Sequence, residues 1–104
     1  MVGIPAQGEI WWAEADDKRR PVLVVTRSEA VPALTGIIVA PVTRTLRDIP
    51  TEIPLTAEEG LLSDCVASFD NLQRIRRSAL VERIGSLGPR RAEICRSLEA
   101  LADC

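Results

Sequence analysis

The sequence predicts a mainly β fold: a small antiparallel sheet, twisted or barrel-like, closed by one C-terminal α-helix. Three features carry that reading. Two apolar runs of strand length, Val22-Leu23-Val24-Val25 and Ile37-Ile38-Val39-Ala40, have no polar interruption, as suits strands covered on both faces. Shorter stretches alternate with period two. Only one stretch, after Gly88-Pro89, has helical periodicity. At 104 residues and 46% hydrophobic, the chain has room for one domain, residues 1–104, with one core.

Each element has a local cause. Gln7 to Glu14 alternates well enough for a first strand, with Ile10 and Trp12 on one face and Glu9 and Trp11 on the other, so one tryptophan packs in the core while the second is half exposed or covered by a partner. Ala15 to Arg19 is short and almost wholly polar, as in a surface loop between antiparallel neighbours. Pro21 fixes its own φ and has no N–H to donate. It belongs at the first position of the central strand, which runs to Thr26 and holds Arg20 extended at its rim.

Arg27 to Thr35, with Pro32 and no periodicity, is a loop. Gly36 to Thr43 is the second long strand, and its Pro41 marks an edge, a bulge or the strand's end. Arg44 to Pro50 is a polar connection, and Thr51 to Leu55 resumes as a short strand. A turn at Thr56 to Gly60 follows, with Gly60 available for positive φ. Asp64 to Phe69 is a strand leaving at Asp70-Asn71. Leu72 to Leu80 is an extended segment with one helical turn, and Val81 to Gly85 is a last short strand. Proline at the first helical position starts the helix with the right φ; Ile94, Cys95, Leu98, Leu101 and Ala102 form its apolar stripe.

Charge and cysteine content exclude several function classes. The formal charge is −2, so the whole-molecule field does not draw nucleic acid, and an anion site has to be a local patch. Such a patch is visible in Lys18, Arg19, Arg20, Arg27, Arg44 and Arg47, whereas Asp16, Asp17, Glu58 and Glu59 gather elsewhere. The chain has no histidine, which removes Ser-His-Asp, Cys-His and paired-imidazole mechanisms. Its three cysteines, Cys65, Cys95 and Cys104, form no Cys-x-x-Cys pair, so no zinc site, metal or cofactor is expected. Cys65 reads as buried and Cys104 as a frayed end. With no apolar stretch of about 20 residues to span a membrane, the expectation is a cytoplasmic protein with no membrane contact.

In order along the chain, Gly8-Glu9-Ile10-Trp11, Arg20-Pro21-Val22-Leu23-Val24-Val25, Ala40-Pro41-Val42-Thr43 and Asp64-Cys65-Val66 through Phe69-Asp70-Asn71-Leu72 together resemble the MazF/PemK toxin family. The resemblance covers nearly the whole chain. It implies an SH3-like barrel (the MazF/PemK/CcdB-like fold), a homodimer, a cognate antitoxin as partner, and metal-independent cleavage of single-stranded RNA at short preferred sequences. It also implies Arg20 and Thr43 as catalytic residues. Asp70 matches a position proposed as catalytic in some relatives, although the arginine near it in those relatives is Ser68 here.

Metal-free cleavage uses the neighbouring 2′-hydroxyl as nucleophile and leaves a 2′,3′-cyclic phosphate and a 5′-hydroxyl. A guanidinium such as that of Arg20 can pair two N–H groups with the phosphoryl oxygens as charge gathers there, and a threonine hydroxyl can add a third hydrogen bond. The general base stays open among Asp70, another carboxylate and water. Lys18, Arg19, Arg27, Arg44 and Arg47 are the expected RNA-binding cations. Trp11 is an expected stacking face, and Phe69 is expected in the core. A non-enzymatic, protein-binding toxin of the CcdB gyrase-poison type is the alternative, because fold does not fix function.

Overall fold

In the computed structural model, which describes residues 4–15 and 17–102, the sheet is built on β3 (Gly36–Thr43). One edge of β3 meets β2 (Lys18–Val24) through the antiparallel pairs Val22↔Pro41, Leu23↔Ala40 and Val24↔Val39. The other edge is shared. β6 (Gln73–Arg76) takes Gly36 to Val39, and β5 (Cys65–Ser68) takes Val42 and Thr43. Ala40 and Pro41 span the switch between these two neighbours, so a proline's missing N–H costs nothing on that edge. β1 (Glu9–Ala15) pairs with β2, β7 (Leu80–Ser86) with β1, and β4 (Glu52–Leu55) with β5, all antiparallel. Register shifts between β1 and β7 at Ile10/Trp11 and Trp12/Ala13 add local twist and help to curl the sheet into a half-barrel.

The expected single core is two clusters, one on each face of the same strands. Ile10, Leu23 and Ala40 point to one side, where they meet Ile53, Leu55, Phe69 and Ile94. Their strand neighbours Trp11, Val22, Val24 and Val39 point to the other, against Val31, Ile37 and Leu80. Period-two alternation therefore buries every residue from Val22 to Val25, which accounts for the uninterrupted apolar run. Each fully buried Leu or Ile contributes about 1.5–3 kcal/mol.

The strand Gly36–Thr43, the strands either side of Gly60 and the single helix stand where the sequence placed them. The SH3-like, mainly β reading with a C-terminal helix is the fold observed. Three local expectations are corrected. β2 begins at Lys18, with Pro21 inside it opposite Trp12, because at that point β2 has a neighbour on one side only. The polar stretch Ala15 to Arg19 is thus not a loop: the strands run on to the Ala15↔Lys18 pair, and of the two residues between them Asp17 has φ 62° while Asp16 lies outside the described residues.

In α1 (Ala92–Leu101), entered through a 3-10 turn at Gly88–Arg91, the inward residues are Ile94, Ser97 and Leu98, at i, i+3 and i+4. Cys95, Leu101 and Ala102 are exposed. Cys104 lies outside the described residues.

Candidate active site

The ladder between β2 and β3 ends at Val22↔Pro41, and Arg20 and Thr43 each lie two residues beyond that last pair, on their own strands. By alternation both sit on the face of Val22, Val24 and Val39, past the end of the packed cluster. Arg20 is exposed and Thr43 half-buried. The Thr43 Oγ1 accepts a hydrogen bond from the Thr45 N–H at 3.2 Å, which orients the hydroxyl and leaves its proton free to donate outward. Arg44 follows directly, Arg47 lies further along the same connection, and Lys18 shares Arg20's face two residues earlier on β2. None of the ion pairs among the described residues uses Lys18, Arg20, Arg44 or Arg47. That end of β2 and β3 therefore carries four cations that enter no ion pair among the described residues.

Other expected contacts fall elsewhere. Arg19 is on the opposite face of β2, where its Nη2 pairs with Glu82 Oε1 at 2.5 Å and its guanidinium lies 5.1 Å from the centre of the Trp12 ring. Arg27 follows the far end of β2, away from Arg20. Trp11 is only 2% exposed, with its indole N–H given to Glu9 Oε1 at 3.1 Å, so the expected stacking face is buried core and Trp12 is the half-buried tryptophan. Phe69 is wholly buried, as expected.

Asp70 sits in a 3-10 turn, Phe69–Asn71, and accepts the Thr51 hydroxyl at 2.7 Å. Across from Thr43 the sheet places Val66, and Asp70 comes four residues later, past the end of β5. A groove of about 1170 Å³, lined by Pro32, Gly36, Arg74, Ile75, Arg76 and Leu80 among others, opens at the other end of β3 and holds none of these residues.

Among the buried ionisable groups, the Cys65 thiol is pushed up by burial and by Asp64 and Glu59, against a smaller opposing pull from Arg44, so it stays a thiol and an unreactive core residue. Glu52 is the residue near the site that pattern reading missed. It opens β4, is 8% exposed, and its Oε1 accepts the Arg47 N–H at 2.9 Å. Its burial comes from the connection folding back over the strand, which leaves no local signal in the sequence.

A curved antiparallel half-barrel closed by one C-terminal helix defines the class of protein, a small mainly β domain. Comparison with known proteins gives the family. The chain belongs to the PemK-like, MazF-like toxins of type II toxin–antitoxin systems, whose family profile matches residues 6–101. It is 40% identical over 100 residues to the probable endoribonuclease MazF2 of Mycobacterium tuberculosis, covering 94% of this chain and 98% of that one. It is 36% identical over 107 residues to the probable endoribonuclease MazF5 of the same organism, covering 100% and 98%. Among solved structures it superposes on the M. tuberculosis toxin MazF-mt6 with a TM-score of 0.81 and 37% identity, covering 89% of this chain and 94% of that one. A MazE–MazF structure from Deinococcus radiodurans matches with a TM-score of 0.75 and 26% identity, covering 95% and 96%.

Proposed function

We propose that this chain is the toxin of a type II toxin–antitoxin pair and acts as a metal-independent endoribonuclease on single-stranded RNA, selecting short sequences, in the cytoplasm. The observation that supports the reading is that Arg20 and Thr43 each follow the end of the β2–β3 ladder, at an end of the sheet where Lys18, Arg20, Arg44 and Arg47 enter none of the ion pairs among the described residues. The endoribonuclease names of its relatives support it. In this mechanism the 2′-hydroxyl oxygen attacks the adjacent phosphorus and its proton passes to water. Arg20 gives two N–H bonds to the phosphoryl oxygens as their charge grows, the Thr43 hydroxyl gives another, and the 5′-oxygen leaves with a proton taken from water.

Asp70 is assigned no part, because it is tied to Thr51 and lies off the Arg20–Thr43 pair. Lys18, Arg44 and Arg47 neutralise flanking phosphates, whereas the ion-paired Arg19 and the remote Arg27 contribute little. Homodimerisation and capture of an acidic antitoxin segment by the same cations complete the proposal. A MazE–MazF complex among the similar structures supports the antitoxin, and no helix among the described residues is long and apolar enough to cross a membrane. Incubating the protein with a mixed-sequence RNA in EDTA and weighing the products tests it. Fragments ending in a 2′,3′-cyclic phosphate are expected; intact RNA, or fragments with a 3′-hydroxyl, contradict it.

A further inference from the structure

The Glu52 carboxylate is more than nine-tenths buried, yet only half of it is satisfied. Oε1 takes the Arg47 N–H at 2.9 Å, while Oε2 has no partner among the described residues. The Glu52 backbone N–H donates in turn to Ile49 O at 3.0 Å. A single residue thus closes the connection from both sides, and between those two bonds Asp48 is held at φ 53°, in the left-handed region that a residue with a side chain seldom enters. For the fold alone this is a poor choice. A buried carboxyl group with an orphan oxygen costs stability. The benefit has to lie in what the grip holds, and that is the segment carrying Thr43, Arg44 and Arg47.

We infer that Glu52 is a positioning residue for RNA cleavage: its carboxylate grips the Arg47 backbone and holds the Thr43–Asp48 segment in the shape that sets the Thr43 hydroxyl and the Arg44 and Arg47 guanidinium groups beside Arg20. The inference rests on the endoribonuclease reading, and its test has a readout that does not depend on cleavage. Glu52→Gln keeps an oxygen for the Arg47 N–H and removes the charge; Glu52→Leu keeps the bulk and removes the acceptor.

In Glu52→Leu, exchange of the Arg47 amide with solvent accelerates and kcat on a short RNA falls by about tenfold or more, as displacement of catalytic groups does, while Tm is unchanged or higher. Glu52→Gln retains the slow amide and cuts at a rate close to the wild type. If the leucine variant does not fold, Glu52→Asp, which withdraws the carboxylate by one methylene, is read in the same way. Wild-type kcat with a released Arg47 amide, an Arg47 amide that stays protected without the acceptor, or losses of kcat that merely follow Tm would each overturn the inference. A wild-type protein that cuts no RNA removes the ribonuclease reading and the role in cleavage with it, and amide exchange then distinguishes that outcome from a failure of the grip itself.

Discussion

Arg90 and Arg20 are the same side chain put to opposite uses at two ends of the molecule. Arg90 spends its donors within the protein. Its Nε and Nη2 fork onto Glu93 at 2.7 and 3.1 Å, Nη1 reaches Glu59 at 3.1 Å, and Nη2 also meets the Pro54 carbonyl at 2.8 Å. That one guanidinium joins the start of α1 to β4 and to the turn before Gly60, where Glu59 is 5% exposed and also accepts the Thr56 N–H at 2.7 Å. Arg20 has no ion-pair partner among the described residues. A paired arginine fixes the architecture, whereas an arginine left unpaired at the end of a packed strand keeps its donors available for a phosphate.

The largest effect that sharpens this contrast is on catalysis. Arg20→Ala lowers the RNA cleavage rate by about 10²–10³-fold, the usual loss for a preorganised oxyanion donor, and leaves Tm close to the wild type because nothing in the fold leans on it. Arg20→Lys recovers little of the rate, since an ammonium lacks the paired fork. The next largest effect is on stability. Arg90→Ala strands the buried Glu59 carboxylate and costs about 3 kcal/mol in urea unfolding, at the lower end for a broken buried pair because Arg90 is partly exposed. Cleavage per folded molecule is unchanged.

A smaller effect appears with pH. The Glu93 carboxyl is held below its ordinary value of 4.5 chiefly by its hydrogen bond from Arg90. Burial raises Glu9, but hydrogen bonds from Ala6, Trp11 and Arg83 outweigh it and lower that group as well. A carboxyl depressed in the folded state adds stability that is complete above its unfolded value and is lost as pH falls through the folded one. Urea midpoints therefore hold steady above about pH 5 and decline below 4.5, and Arg90→Ala flattens part of that decline. The smallest effect is at Arg19. Removing its exposed pair with Glu82 and its stack on Trp12 costs about 1 kcal/mol or less, with no change in cleavage rate, which separates it from its neighbour Arg20.

That neighbouring pair also illustrates how much was legible in the sequence. Strand alternation puts Arg19 and Arg20 on opposite faces, but the partner that occupies Arg19 is Glu82, 63 positions away, and no local pattern reports it. The same holds for Asp70, whose Thr51 partner is 19 positions away, and for Glu52, whose burial depends on a loop folding back. What short-range chemistry dictates was readable: the bounds of β3 from its apolar run, the turn at Gly60, and the proline-led helix; Pro41, expected at an edge, a bulge or a strand end, lies instead within β3, where its missing N–H falls at the switch between two neighbours. The hairpin at Asp17 was misread because β1 and β2 continue into polar residues there, where one edge and one face meet solvent and no longer select apolar side chains. The two tryptophans were divided correctly between faces, yet both faces of β1 are covered, so alternation alone did not tell which one is sealed.

The most direct test of the central claim is to measure cleavage of one short RNA in EDTA by Arg20→Ala and Arg90→Ala side by side, each rate divided by the folded fraction from its own melting curve. The expected result is a crossed pattern: Arg20→Ala folded and inactive, Arg90→Ala destabilised and fully active once corrected. Equal corrected rates in the two variants would contradict it.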